Sequence, residues 1–99
     1  MREREFIAVY IMVNAANTVL YICVTSHLIK RVYEHRTHAA EGFTKRYHCT
    51  KLVYFEAHDE ITAAIHREKR LKKYSRAQKM ALIDRLNPHW RDQWEAITN

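Results

Sequence analysis

The chain predicts a fold of the α/β class, α+β type: a small three-stranded antiparallel sheet flanked by helices, in the order β-β-α-β-α-α-α. Three observations lead there. Two short runs rich in Val, Ile and Tyr, FIAVYIMV at 6–13 and VLYICV at 19–24, flank a polar loop as the arms of a hairpin do. Helical spacing and capping signals dominate the second half. One Gly and one Pro in 99 residues leave no room for a turn-dense sandwich, a Gly-rich phosphate loop or a long disordered linker.

Each element has its own signal. Asn14-Ala15-Ala16-Asn17-Thr18 supplies the hairpin loop. From Ser26 to about Arg36, Leu28 and Val32 stand at i, i+4, with Thr25 or Ser26 as N-cap, so this segment is expected to be a helix. LVYFE at 52–56 is the third strand. Asp59 or His58 opens the next helix, which carries Ile61, Ala64, Ile65, Glu68 and Leu71 on one face. Ser75 and Gln78 form a capping-box pattern ahead of Met80, Ala81 and Ile83. Asn87-Pro88 is expected to stop that helix and start a last one, with Trp90, Trp94 and Ile97 as its apolar stripe.

A chain of 99 residues, 47% hydrophobic, is expected to form one domain over 1–99 that buries roughly 60–65% of its unfolded surface. No segment approaches the roughly 20 apolar residues of a membrane span, and no signal sequence precedes the first strand, so a cytoplasmic address is expected. The net charge is +6 and is concentrated: residues 66–79 hold seven Lys or Arg against a single Glu. Such a block attracts phosphates, although a solvated helix face is the plain alternative. Cys23 and Cys49 have no C-x-x-C spacing, and no pair among the seven histidines and two cysteines has the repeat spacing of a structural zinc site.

Glu68 falls near the middle of an apolar arc on its helix, a costly place for a carboxylate unless a cation meets it. The structural alternatives are a pair with Lys72, four residues on, or a salt bridge to Arg31. Arg31 and His35 share a helix face with Leu28 and Val32, so both are expected to point toward the sheet. A sheltered Arg suits a phosphate oxygen, and a His with a pKa near neutrality can orient water or take a proton. Tyr10 and Tyr21 share a sheet face only if the hairpin loop is even; a four-residue loop puts them directly opposite, and an odd loop separates them. A free Tyr, with pKa near 10, is a base only if something lowers that value or a water carries its proton.

Tyr10, Tyr21, Arg31, His35 and Glu68, in that order, resemble the motifs of the GIY-YIG nucleases. The stand-alone single-domain branch is most similar, through FTKRY at 43–47, LVYFE at 52–56, Arg67-Glu68-Lys69, Lys72-Lys73 and NPHWR at 87–91. The resemblance covers nearly the whole chain. It implies a metal-dependent endonuclease in which Tyr10, Tyr21, Arg31 and His35 are catalytic and Tyr21 is the preferred base. Glu68 would bind Mg²⁺ (or Mn²⁺), an ion that keeps most of its waters and so needs few protein ligands. Lys45, Arg46, Lys69, Arg70, Lys72, Lys73, Arg76 and Lys79 would hold the nucleic-acid backbone, DNA ahead of RNA. Many members carry an Asn about three turns after the Glu, where this chain has Met80; Asn87 is the weakest candidate for that role. The motif glycines are replaced by Ala8 and Cys23, the latter placing a thiol where backbone or substrate approaches closely. Two other readings follow: a nucleic-acid-binding module in which Cys23 blocks cleavage, and a protein-interaction domain presenting Trp90 and Trp94.

Overall fold

The first apolar run does not alternate because it is covered on both faces. In the computed structural model, which describes residues 5–39 and 42–99, β1 (Ile7–Val13) lies between β2 (Leu20–Thr25) and β3 (Lys51–His58) in an antiparallel sheet of order β2-β1-β3. Ala8 to Val13 are wholly buried. On one face Ala8, Tyr10 and Met12 pack with Leu28, Ile29 and Val32 of α1 (Leu28–Arg36) and with Ile97 of α5 (Trp94–Thr98). On the other, Val9, Ile11 and Val13 meet Ala64 and Leu71 of α3 (Ile61–Lys72) and Leu82 and Ile83 of α4 (Arg76–Leu86). Each such aliphatic side chain contributes about 1.5–3 kcal/mol through burial. A strand sandwiched in this way reads as a continuous hydrophobic run.

The expected element order holds, with one addition: a single turn, α2 (Phe43–Arg46), between α1 and β3. Four residues are too few to leave a periodic signal. The hairpin loop is longer than expected, six residues from 14 to 19, and the side chain of Asn14 organises it. Its Oδ1 accepts from the backbone N–H of Thr18 at 2.8 Å and of Val19 at 3.0 Å, and Asn17 takes the left-handed φ of 60° that Asn tolerates. Between β1 and β3 the register slips at Ile11/Met12, leaving Val53 as the extra residue of a bulge.

Several helix boundaries differ from expectation. Neither Thr25 nor Ser26 caps α1; His27 is the N-cap position, and the carboxylate of Glu5 accepts from the N–H groups of Ile29 and Lys30, both at 2.9 Å. A carboxylate two residues ahead of β1 thus does the capping, which no local pattern reveals. On α3 the buried stripe is Ala64, Glu68 and Leu71, while Ile61 and Ile65 are exposed. The helix is turned so that Arg67 meets Glu56 of β3, Nε lying 3.0 and 3.1 Å from the two carboxylate oxygens and Nη2 3.0 Å from one of them. The capping box of Ser75 and Gln78 is present at α4.

The last segment needs the largest correction. Asn87 is the C-cap of α4 rather than the N-cap of a following helix, and α5 does not begin until Trp94. Trp90 and Trp94 are therefore not on one stripe. Trp90 packs with α4 and donates to Asp84 at 2.6 Å, whereas Trp94 lies on the opposite sheet face, its ring 5.0 Å from the Arg36 guanidinium. Two tryptophans on opposite sides of the sheet do not form a joint partner surface. No helix among the described residues is long and apolar enough to cross a membrane.

Candidate active site

Loop parity brings the two tyrosines together. Val13 pairs with Leu20, so Tyr10 stands opposite Cys23 and Tyr21 opposite Met12. The phenols share one face as diagonal neighbours, two residues off the directly opposed register that a four-residue loop produces. α1 crosses this face and presents His35, which is 2% exposed. Its Nε2 is 2.9 Å from the Tyr10 hydroxyl and its Nδ1 is 2.8 Å from Thr44 Oγ1 on α2. Phe43, on the same short helix, stacks against Tyr21 with ring centroids 5.6 Å apart.

Burial decides the protonation states here. His35 is lowered to about 4, first because the interior disfavours an imidazolium and second because Arg31 lies near. Burial thus favours the neutral ring at neutral pH, and both of its nitrogens are engaged. Tyr21 is pushed up to about 12, by burial first and then by Cys23, and the nearby Glu68 charge adds to the rise while Arg31 opposes it. Tyr10 is raised above its ordinary value for the same leading reason. Arg31 alone thus fails to make either phenol a base.

Arg31 and Glu68 do not pair with each other. Arg31 is held by Glu34 at 2.6 Å and its side chain is 38% exposed, so it reaches toward solvent more than its helix position suggested. Glu68 is buried, and Lys72 Nζ lies 2.6 Å from its Oε2, which is the intrahelical pair raised as an alternative. That pair does not exclude a metal: the Lys72 side chain is 54% exposed and is a movable cation on a flexible stem. Among the described residues no group of three or more His, Cys, Asp and Glu could hold an ion. A single buried carboxylate is a donor set that fits a hard ion keeping most of its waters, and does not fit a closed tetrahedral site.

Leu20, Tyr21 and Ile22 line a groove along the β2 edge with Phe43, Lys72 and Lys79. Of the expected backbone-binding cations, the structure brings Lys72 and Lys79 to this groove. Arg76 is tied to the hairpin loop through Thr18 O at 2.8 Å. Lys69, Arg70 and Lys73 lie exposed on α3 and its end, and Lys45 and Arg46 are exposed on α2, where Arg46 stacks on Tyr47. Asn87 is elsewhere. Its Nδ2 donates to Val53 O and Arg91 O, both at 2.9 Å, and its Oδ1 accepts from Arg91 N–H at 3.1 Å. Every polar atom of that side chain is spent on backbone, which corrects its candidacy.

The GIY-YIG catalytic domain model matches residues 6–81. The chain belongs to the GIY-YIG family. Asn87 lies beyond the matched span. Relatives include the UPF0213 protein of Syntrophus aciditrophicus, 37% identical over 76 residues covering 76% of this chain and 86% of that one. The UPF0213 protein of Haloquadratum walsbyi is 34% identical over 76 residues, 77% of this chain and 84% of the relative. The solution NMR structure of a UPF0213 protein from Bacillus halodurans shares the fold, with a TM-score of 0.56 at 20% identity over 94% of this chain and 98% of that one. The GIY-YIG domain is in general a nuclease domain, and such nucleases are generally dependent on a divalent metal.

FTKRY at 43–47 carries the resemblance without giving Phe43 or Thr44 a place in the site, and Glu34 is not singled out by the sequence at all. Thr44 and Phe43 belong to a turn too short to show periodicity, and only contacts over nine or more residues reveal their places. Glu34 had a visible signal, the i, i+3 spacing to Arg31.

Proposed function

We propose that this chain, acting as one domain over residues 1–99, is a divalent-metal-dependent endonuclease that hydrolyses phosphodiester bonds in DNA, in the cytoplasm. The observation that carries it is Glu68: a buried carboxylate whose charge reaches Tyr21, on the helix that supplies the basic edge of the Tyr21 groove.

Glu68 would hold Mg²⁺ or Mn²⁺ once Lys72 moves aside. When bound there, the ion supplies positive charge that stabilises the phosphate oxygens and favours the Tyr21 phenolate. Arg31, a permanent cation half open to solvent, binds a phosphate oxygen through its planar fork and offsets charge growing on it. Tyr21, as the phenolate, would take the proton of the attacking water as the water oxygen bonds to phosphorus and the bond to the leaving oxygen breaks, that oxygen leaving with the electron pair and gaining its proton from solvent. Tyr10, bonded to His35, braces the sheet face on which Tyr21 stands. Lys72, Lys79 and the exposed cations of α2 and α3 hold the flanking phosphates without reading sequence.

Cys23 favours a second reading. It faces Tyr10 across the hairpin and raises both phenols after burial has done so, which suits a nucleic-acid-binding module with impaired cleavage. Purified protein incubated with single-stranded, duplex and branched DNA, with and without Mg²⁺, separates the two. A nuclease cleaves only with metal, and Glu68→Ala abolishes turnover while DNA binding persists. Salt-dependent binding with no cleavage at any metal concentration supports the binding module instead.

A further inference from the structure

We infer that Thr44 is a positioning residue of this site: its buried hydroxyl sets the tautomer of His35, and through it the direction in which Tyr10 points its proton. Thr44 is 2% exposed and sits on the one-turn helix α2, from which Phe43 meets Tyr21 and Thr44 meets His35 of α1. The contacts form a buried chain from Tyr10 OH through His35 Nε2 and Nδ1 to Thr44 Oγ1, at 2.9 and 2.8 Å. A neutral imidazole in such a chain donates from one nitrogen and accepts at the other, so a single choice orders every proton.

Thr44 makes that choice from the far end: with Oγ1 as acceptor the imidazole carries its hydrogen on Nδ1, Nε2 is left bare, and the Tyr10 proton is directed at it. In the opposite order Tyr10 accepts from Nε2–H and its own proton loses His35 as a partner, which is costly for a phenol that is wholly buried. Thr44 thus plays for His35 the part that an outer partner plays for many functional imidazoles, holding the ring and fixing which nitrogen is bare.

The tautomer is independent of whether the chain cleaves DNA; the effect on turnover rests on the nuclease reading. Nitrogen-15 NMR of the imidazole, in the whole protein near pH 7, reads the tautomer directly. The expected result is a protonated Nδ1 and a bare Nε2 in the wild type, kept in Thr44→Ser and lost in the isosteric Thr44→Val, where the ring becomes mixed or turns to Nε2–H. Turnover is expected to fall roughly tenfold in Thr44→Val at nearly unchanged KM, and to recover in Thr44→Ser. An Nε2–H tautomer in the wild type, or an unaltered Nδ1–H ring in folded Thr44→Val, overturns the inference. If Thr44→Val does not fold, the wild-type tautomer and its retention in Thr44→Ser decide the matter. Absence of cleavage in every variant with the expected tautomers removes the nuclease reading and leaves the role of Thr44 standing.

Discussion

Lys72 grips Glu68 at 2.6 Å from one helical turn away, so the carboxylate proposed to bind metal already has a cation of its own. The two compete. Replacing Lys72 by Met removes the competitor and keeps most of the aliphatic stem. With its Lys72 end open to solvent, such a pair contributes up to about 1 kcal/mol, so the Mg²⁺ concentration for half-maximal cleavage is expected to fall by up to about fivefold. Titration of cleavage with Mg²⁺, alongside Mn²⁺ broadening of α3 resonances, measures it. An unchanged or increased metal requirement would show that Lys72 does not guard the site.

Cys23 is the second target. Restoring the family glycine with Cys23→Gly relieves crowding beside the phenols and removes one of the groups that holds Tyr21 at about 12. Cleavage near pH 9 is expected to be preserved or increased, while stability falls by about 0.5–1 kcal/mol because Gly weakens an edge strand. A pH–rate profile with a parallel denaturant melt separates the effects. Lower turnover at an equal folded fraction would remove the crowding argument.

His35 makes stability depend on pH. Its folded pKa of about 4 lies below the ordinary value of about 6.5, so between those limits the unfolded chain binds a proton that the folded chain refuses. The contribution is complete above about pH 6.5 and is lost as pH falls toward 4, roughly 3 kcal/mol in all. His35→Gln does not titrate. It is expected to be less stable at pH 7 yet to lose less stability than the wild type between pH 6.5 and 4. Parallel slopes in urea melts of the two proteins would contradict this assignment.

Asn87 is expected to behave as a brace. Asn87→Ala leaves the carbonyls of Val53 and Arg91 without their donors and is expected to cost about 2 kcal/mol. Cleavage per folded molecule should be unchanged, as chemical denaturation and an assay well below the melting temperature will show. A fall in turnover without a fall in stability would return Asn87 to the active site.

The strands, the capping box at Ser75 and the order of elements were legible because each depends on residues within a few positions of one another. Glu68 stood out for the same reason, as a charge set among apolar neighbours on one turn of helix. The rotation of α3 was not legible: Ile61 and Ile65 look like core until Glu56, eleven residues before Arg67, pulls that arginine into the seam. Nor was the break after Asn87, because a side chain bonded to a carbonyl 34 residues away competes with helix signals that are purely local.

By itself the amino-acid sequence determined that Tyr10, Tyr21, Arg31, His35 and Glu68 exist in an order that resembles one family, on a hairpin and two helices. Only the tertiary structure decided that both phenols share a face, since a single residue more or less in the loop would have reversed one of them. It also decided that His35 is neutral and bonded at both nitrogens, because desolvation is set by everything that surrounds a ring and not by its neighbours along the chain.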